Sequence, residues 1–373
     1  MQRESLFGER IIWMGGPKIV KTPPMFKSVA HLLFVFAAIS TCYAFVIGLG
    51  LKVPPTESLL FAVWSVTLGL AALQLPQIWL SKAQYIITDN HVIWRRGPFH
   101  RSIERRSISY ARIYWDPKAP GVGDLELVRA VPTGALRRRL MLRLNLVAAP
   151  DRVWAIVRGA EDVAPRGDGD QPLTQRLDSG ERVVWSARPH TRWRAYLPHG
   201  HREWSLLAMA FGLLAVSATI AWRGAHALGR VLESGLPALS FAFVGLVFGL
   251  VMSVLLVLTV AGALLYSASI RPAYLVKHTR YLVTDSRVLI QRGTEELHLD
   301  RGKIVEVIDT PTGEGLSNVF IVLDGPRARA LAASGAFGEI NRGPNLRPVF
   351  ESVQDAESLS RILLGAGDLR RAA

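Results

Sequence analysis

Long runs without a charged residue dominate the hydropathy pattern of this chain. Four runs contain no Asp, Glu, Lys or Arg, and they cover residues 28–51, 58–81, 204–222 and 234–270. A helix needs about 20 apolar residues to cross the hydrocarbon core of a bilayer, so each of the first three runs predicts one membrane span. The fourth run is too short for two crossings and a turn, and it predicts one long span over residues 238–266. The four predicted spans form two hairpins.

Outside these runs, one strand-like pattern occurs twice. Residues 85–97 read YIITDNHVIWRRG, and residues 281–293 read YLVTDSRVLIQRG. β-Branched and aromatic residues flank a Thr-Asp pair in both copies, which predicts two short strands joined by a tight turn. A GER-x-x-W segment precedes each copy, beginning at Gly8 and at Gly180. Because these signatures recur in the same order around the apolar runs, the sequence indicates duplication of a whole structural unit.

Each copy continues with further strand-like and helical patterns. Leucines alternate with other residues from 140 to 146, which predicts a half-buried strand. A short helical pattern follows Asp151 in the first copy and Asp355 in the second, where an Asp can cap a helix. A Gly-x-Gly pair also recurs, and a strand pattern rather than a helix follows it, which favours a turn over a phosphate-binding loop. The residues assigned to turns are Thr88, Asp89, Thr284, Asp285, Gly121, Gly123, Gly313 and Gly315.

These patterns divide the chain into successive segments. Gly, Pro and charged residues separate the two copies and predict a flexible linker. The predicted segments are a cytoplasmic N-terminal segment (1–27), a first membrane hairpin (28–81), a first strand-rich domain (82–160), the linker (161–179), a juxtamembrane segment (180–203), a second membrane hairpin (204–270), a second strand-rich domain (271–365) and a tail (366–373).

The two strand-rich units resemble the bacterial pleckstrin-homology-like (PH-like) domain. The Tyr-x-x-Thr-Asp-x-x-Val segments, the Gly-x-Gly turns and the terminal helices carry the resemblance, and the GER-x-x-W segments match a lead-in often found before the membrane spans of that family. The resemblance implies two α+β, mainly-β domains behind membrane α-helical hairpins, each a small antiparallel split barrel closed by a C-terminal helix. It implies no settled ligand or reaction. The second half also resembles related membrane-bound assembly factors of photosynthetic complexes.

Basic residues predict the orientation in the membrane. Five Lys and Arg precede the first span, whereas the loop after it holds only Lys52. The predicted loop at 224–235 likewise carries few basic residues, with Arg223 and Arg230 in and beside it. Because Lys and Arg accumulate on the cytoplasmic side, both termini and both repeats are expected in the cytoplasm. The resemblance to the bacterial family implies that the chain crosses a bacterial inner membrane, and the four spans imply four crossings.

Charge differs strongly between the two repeats. Residues 82–160 contain 15 Lys and Arg against 6 Asp and Glu, a balance of +9, whereas residues 276–365 contain 11 against 12, a balance of −1. A basic surface beside an anionic leaflet gains about 1 kcal/mol per well-placed cation. The alternative is an ordinary solvated surface with the usual cytoplasmic bias. The residues predicted to bind lipid are Arg137, Arg139, Arg143, Arg105 and Arg106.

The spans themselves contain little that transport chemistry would need, since ionisable residues are nearly absent from them. The spans are therefore expected to act as membrane anchors. Small residues at four-residue spacing predict close helix packing, either within a hairpin or between two copies in a homodimer. These residues are Ala208, Gly212, Gly245, Gly249 and Ser253.

Catalytic signatures are missing from the sequence, which lacks nucleophile-elbow, HExxH and phosphate-loop motifs. We therefore expect no enzymatic activity and no cofactor. His190, His199 and His201 lack a Cys or carboxylate at a convincing spacing, so no metal site is predicted. The pI of 10.4 permits nucleic-acid binding, but much of the charge lies close to spans, and nucleic acid is not an expected partner.

Together these features predict an integral membrane scaffold. Its two PH-like domains would bind membrane lipids or an unidentified membrane protein. An assembly factor for one membrane complex is the alternative, and a membrane enzyme with an unrecognised site is a weaker one.

Overall fold

A computed structural model describes residues 8–46, 48, 54–129, 140–160, 171–190, 198, 201–233, 240–313, 315–323 and 349–371. The chain divides into two units. The helical unit comprises residues 21–79 and 193–274, and the strand unit comprises residues 1–20, 80–192 and 275–373. The strand-rich repeats, although separated in sequence by a membrane hairpin, thus belong to one unit.

The elements alternate between the two units along the chain. The helices are α1 (Pro24–Val46), α2 (Thr56–Ser81), α3 (Pro150–Arg158), α4 (His201–Glu233), α5 (Phe241–Leu265), α6 (Arg271–Lys277) and α7 (Ala356–Arg371). The strands are β1 (Ile11–Gly15), β2 (Gln84–Thr88), β3 (His91–Arg96), β4 (Phe99–Glu104), β5 (Tyr110–Trp115), β6 (Val122–Arg129), β7 (Leu140–Ala148), β8 (Val183–Ala187), β9 (Thr279–Thr284), β10 (Arg287–Arg292), β11 (Glu295–Asp300), β12 (Ile304–Gly313), β13 (Leu316–Leu323) and β14 (Phe350–Val353).

The described residues include four helices that are long and apolar enough to cross a membrane, which confirms the predicted number of spans. The predicted loop at 224–235 is wrong, because α4 continues to Glu233. Ala, Leu and Arg are frequent in this stretch and favour helix, so the helix outlasts the apolar run. With 33 residues, α4 is about 50 Å long, more than the roughly 30 Å that a membrane core requires.

Small residues bring the helices of the second hairpin together. A Cβ atom at Gly224 of α4 would lie 2.3 Å from Leu250 Cδ1 of α5, so only glycine fits there without rearrangement. Among the side chains of α4 that the structure describes, Ala210 and Ser217 are buried, one heptad apart. In the first hairpin, Ser40 donates a hydrogen bond from its hydroxyl to the Ser58 carbonyl at 2.7 Å.

Two repeats of the same element order build the strand unit. The first repeat consists of β1–β7 and α3, and the second consists of β8–β14 and α7. Within the first repeat β1–β4 form one antiparallel sheet, and within the second β12–β14 form another. The remaining strands form a single seven-stranded sheet in the order β7-β6-β5-β11-β10-β9-β8. None of these sheets is closed in the described part of the chain.

The closing helices begin differently in the two repeats. Asp355 accepts a hydrogen bond from the Ser358 amide at 3.4 Å and caps α7, as predicted. The corresponding prediction for Asp151 is wrong, because α3 starts one residue earlier, at Pro150, after Ala149 in the left-handed conformation. Proline has no amide hydrogen to satisfy and suits the first helical position, so the helix starts there without a side-chain cap.

An irregularity in β7 interrupts the predicted leucine alternation. Leu142 and Leu144 are buried, but Leu146 has a φ of 50°, and Val147 takes the next buried position. The Leu146 amide donates to Asp124 Oδ1 at 2.7 Å.

The second repeat has the same irregularity in β14. Ser352 also has a φ of 50°, and its amide donates to Asn318 Oδ1 at 2.9 Å. The bulge is therefore a repeated feature of the unit, fixed by a polar side chain on the neighbouring strand.

Candidate functional site

The GER-x-x-W segment and the Thr-Asp turn of the first repeat contact each other. Thr88 Oγ1 donates a hydrogen bond to Glu9 Oε2 at 2.5 Å, and His91 Nδ1 lies 2.9 Å from Glu9 Oε1. The Thr88 hydroxyl also accepts from the His91 amide at 2.9 Å, which closes the turn. Hydrogen bonding to the Thr88 hydroxyl, with a smaller contribution from His91, lowers the pKa of the Glu9 carboxyl.

Glu181, Thr284 and Arg287 make the same arrangement in the second repeat, where an arginine replaces the histidine. Thr284 Oγ1 donates a hydrogen bond to Glu181 Oε1 at 2.6 Å. Arg287 donates two hydrogen bonds to the same carboxylate, from Nε to Oε1 at 2.8 Å and from a terminal nitrogen to Oε2 at 2.7 Å. Burial would raise the pKa of Glu181, but the hydrogen bonds and charge of Arg287, together with Thr284, lower it to about 2.

An arginine ties each turn to the closing helix of its repeat. Arg105 donates to the carbonyls of Thr88 and Asp89 at 3.1 and 2.9 Å, and to those of Ile156 and Val157 at 2.7 and 3.0 Å. These last two carbonyls belong to the final turn of α3, where the Ile156 carbonyl also accepts from the Gly159 amide at 3.0 Å.

Arg301 occupies the equivalent position in the second repeat. It donates to the carbonyls of Thr284, Asp285 and Ile362, so the same turn is bound to α7. Turn, strand and closing helix are therefore linked in both repeats by one guanidinium group.

The two repeats are joined by the pairing of β5 with β11, which we call the seam. Tyr114 faces Glu295, Arg112 faces Leu297, and Tyr110 faces Leu299. The ladder continues with a hydrogen bond from the Trp115 amide to the Thr294 carbonyl at 2.9 Å. Main-chain hydrogen bonds therefore run without a break from one repeat into the other.

Side chains also cross the seam. Tyr110 and Val128 belong to the first repeat, yet both are fully buried in the hydrophobic core of the second, with Leu297 and Leu299. Lys303 of the second repeat donates to the Ile108 carbonyl of the first. Shared core residues and a shared sheet give the repeats one fixed arrangement.

Buried charges lie at the seam, and a linker residue supplies one of them. Arg176 is only 6% exposed, donates to the Glu296 carboxylate and lies 5.3 Å above the Trp115 ring. Burial lowers the pKa of His298, which stays neutral beside Glu296 at 3.4 Å. His298 and Arg176 lower the pKa of Glu296 against the effect of its burial, so the carboxylate is ionised.

The second half of the predicted flexible linker is therefore folded. Residues Leu173–Arg176 form a 3-10 turn, with Leu173 packed against Leu282 and Leu289. Asp178 accepts from Arg158 at 2.6 Å, which connects the linker to α3. Composition alone misjudged this stretch because one leucine and two charged residues suffice to anchor it.

A small cavity opens next to these charges. Its volume is about 20 Å³, room for a water molecule or a similarly small ligand. Residues from α3, the linker, β10 and β11 line it: Asp151, Arg152, Ala155, Leu173, Arg176, Asp178, Arg287, Leu289 and His298. None of these side chains is a hydroxyl, thiol or amine nucleophile. The cavity is large enough for a small polar species.

The described residues contain no group of three or more His, Cys, Asp or Glu side chains that could hold a metal ion. His190 and His201 are exposed there, and His199 lies outside the described residues.

The residues predicted to bind lipid have different environments. Arg105 is held by the carbonyls of the turn and α3, whereas Arg106 is exposed. Arg143 pairs with Asp124 at 2.6 Å and lies 5.4 Å from the Tyr114 ring centre. Arg137 and Arg139 lie outside the described residues. Of the described members, Arg106 presents its charge to solvent with least compensation.

The small residues predicted for helix packing also differ in environment. Ala208, Gly212 and Ser253 are exposed within the helical unit, and Gly245 and Gly249 are half-buried. Ser253 donates its hydroxyl hydrogen to the Gly249 carbonyl at 2.7 Å. The close approach at Gly224, which the four-residue spacing did not indicate, lies elsewhere on α4.

Of the residues assigned to turns, all except Gly123 lie at or beside turns. Thr88 and Thr284 end β2 and β9, and Asp89 and Asp285 follow them. Gly121 and Gly315, with φ values of 65° and 73°, precede β6 and β13 and are the equivalent pair. Gly313, with a φ of 92°, ends β12. Gly123 lies within β6, where a Cβ atom would come 2.7 Å from the Tyr114 carbonyl oxygen.

Sequence reasoning missed the seam, the buried Arg176–Glu296 pair and the linking role of Arg105 and Arg301, although Arg105 was predicted to bind lipid. The one available signal was the recurrence of Arg at the same distance after each Thr-Asp pair.

No protein-family model matches the chain, and no curated protein sequence matches it.

Proposed function

We propose that the chain is a membrane-anchored scaffold whose two PH-like repeats act as one cytoplasmic platform for a protein partner. Four apolar helices supply the anchor. The seam is the observation that carries the proposal. Because the repeats share a sheet and core residues, surfaces on both keep a fixed separation, which a partner that contacts both would require.

The element order supports the PH-like assignment. Each repeat has four antiparallel strands, then three more, then a closing helix, and a membrane hairpin separates its first strand from its second. The equivalent Glu–Thr contacts and the equivalent arginines at 105 and 301 support descent of both repeats from one unit.

The buried charges support binding rather than reaction. Arg176 pairs with Glu296, Arg287 with Glu181, and Arg112 with Glu126 at 2.8 Å. Such pairs are satisfied by each other, and their loss would leave an uncompensated buried charge. Their role in the proposal is to hold the strand unit in one geometry.

Anionic lipid headgroups are the second candidate ligand, favoured by the balance of +9 in residues 82–160. A protein partner is preferred because Arg105 and Arg143 are engaged within the strand unit. In this proposal the protein lies in a bacterial inner membrane with both termini cytoplasmic, in agreement with the distribution of Lys and Arg.

Site-specific photo-cross-linking in native membranes tests the protein partner. A photoreactive residue replaces Arg106 or Leu364, both exposed in the strand unit, and in the control it replaces Tyr43, exposed on α1. We expect a discrete adduct from at least one strand-unit position that the Tyr43 position does not give. Adducts from no strand-unit position would contradict a partner-binding platform.

Lipids that co-purify with the detergent-solubilised full chain test the second candidate. Arg106→Glu should lower the retained anionic lipid, whereas Arg361→Glu, an exposed arginine of α7, serves as the charge-matched control. Equal retention by both variants would argue against headgroup recognition by the first repeat.

A further inference from the structure

The two strands that pair in the seam, β5 and β11, each have an equivalent strand in the other repeat. Equivalent residues are 196 positions apart from β2 to β5, as Tyr85 and Tyr281 or Arg105 and Arg301 are, so β4 corresponds to β11 and β5 corresponds to β12. In the seam, β5 pairs with β11. Within the described part of the chain, β4 and β12 are edge strands, each with one neighbour.

We propose that β4 of one molecule pairs with β12 of a second copy, antiparallel and in the register of the seam. The chain would then contain one example of the contact within itself and use the same kind of contact between molecules. This self-association goes beyond the scaffold function proposed above.

Both edges are accessible in the strand unit. All residues of β4 except Ile103 are exposed, and so are residues 308–313 of β12. Two large apolar side chains are among them, with Phe99 63% exposed and Ile308 42% exposed. An exposed strand edge presents unpaired main-chain donors and acceptors, which favour addition of another strand.

The register of the seam fixes which residues would meet. Because Glu295 faces Tyr114 in the seam, Phe99 would face Thr310 between molecules. Phe99 would then lie diagonally across from Ile308, a distance that an aromatic side chain can bridge. On the same face, Arg101 would lie diagonally across from Glu306, with opposite charges.

Charge favours this pairing over the pairing of two β12 strands. β4 carries His100, Arg101 and, at its end, Glu104, and β12 carries Glu306 and Asp309. The register puts His100 directly opposite Asp309 and Glu104 opposite the uncharged Val305. Two β12 strands would bring the acidic residues of both copies together, and like charges are unfavourable for directly opposed residues. The predicted contact is therefore head to tail, which generates a ring or an open chain of molecules.

The contact between molecules should be weaker than the seam. Tyr110, fully buried in the seam, corresponds to Glu306, so less apolar surface would be covered. Trp115, whose amide bonds to the Thr294 carbonyl, corresponds to Pro311, which has no amide hydrogen. We expect association that depends on the density of protein in the membrane.

Cysteine cross-linking of the full chain in membranes tests the register. The variant Phe99→Cys/Thr310→Cys, in a Cys42→Ser background, should form covalent dimers and larger species on oxidation. The control Phe99→Cys/Asp309→Cys should yield roughly tenfold less, because a shift of one residue moves the second thiol to the other face of the strand. Phe99→Cys alone should give none.

A charge swap gives an independent readout. Arg101→Glu should reduce cross-linking of the Phe99→Cys/Thr310→Cys variant, and Arg101→Glu with Glu306→Arg should restore it. Both side chains are exposed, so unfolding temperatures should be unchanged. Absence of dimers from the folded double-cysteine variant, equal dimers from Phe99→Cys alone, or no recovery on charge swap would each overturn the proposal.

Discussion

Thr284 Oγ1 donates a hydrogen bond to Glu181 at 2.6 Å, although 103 residues and a membrane hairpin separate the two in sequence. Thr88 and Glu9 make the same bond at 2.5 Å in the first repeat. The two signatures that recur together in the sequence are therefore contact partners. Their common recurrence reflects one polar contact that closes each repeat across its inserted hairpin.

Replacement of Glu181 in the second repeat should destabilise the protein more than replacement of Glu9 in the first. Glu181→Ala leaves buried Arg287 without its main partner and should cost about 3–5 kcal/mol of unfolding free energy. Glu9→Ala removes bonds to a hydroxyl and to half-buried His91, and should cost about 1–2 kcal/mol. Thermal unfolding of the detergent-solubilised variants, compared with wild type, measures the difference. Equal losses of unfolding free energy would mean that having Arg287 in the second repeat, where the first has His91, makes no difference to stability.

Acid should weaken the Glu181–Arg287 contact in a defined window. The folded pKa of Glu181, about 2, lies below its ordinary value of 4.5, so the stabilisation is complete above about pH 4.5 and is lost as pH falls toward 2. The stability difference between wild type and Glu181→Gln should therefore shrink over this range. Unfolding temperatures at pH 6, 4 and 3 measure it, and a difference that grows on acidification would contradict the assigned ion pair.

Alanine substitution of the neighbouring residues Arg105 and Arg106 should affect the free energy of unfolding to different extents. Arg105→Ala loses four bonds to carbonyls and should destabilise the protein by about 2–3 kcal/mol. Arg106→Ala, at an exposed position, should change stability by less than about 0.5 kcal/mol. The matched pair of variants is measured by thermal unfolding. A stable Arg105→Ala protein would show that the link between turn and α3 is dispensable.

Much of the architecture was predictable because local patterns determine it. Uncharged runs gave the four spans, and β-branched residues around Thr88 and Thr284 gave two hairpins. The predicted element boundaries were wrong where two local signals compete. Helix-forming residues after Trp222 extended α4, and Pro150 began α3 before the expected cap at Asp151.

The seam could not be predicted because the sequence of a strand does not specify its neighbour. β4 and β11 have the same place in their repeats, yet only β11 pairs with β5. The burial of Arg176 depends on Glu296, 120 residues away. Arg143 is exposed on β7, as the alternation predicts, but its pairing with Asp124 on the adjacent strand β6 could not be predicted from the sequence of β7.

Reporter fusions test the proposed membrane orientation. Fusions after Gly97, Gly169 and Ala373 should report the cytoplasm, and a fusion within residues 52–57 should report the opposite side. The expectation rests on the excess of Lys and Arg before the first and third spans. An external Gly169 would place the repeats on the wrong side of the membrane for this proposal.

The central claim is that the two repeats form one platform through the seam, and a disulfide across it tests that claim most directly. Tyr114→Cys/Glu295→Cys joins facing residues, in a Cys42→Ser chain with a protease site inserted within residues 161–170. After oxidation and cleavage, the two halves should stay covalently linked on a non-reducing gel. The control Tyr114→Cys/Thr294→Cys, one residue out of register at an exposed position, should release them. Release of the halves in both variants, or linkage in both, would contradict a platform built on this register.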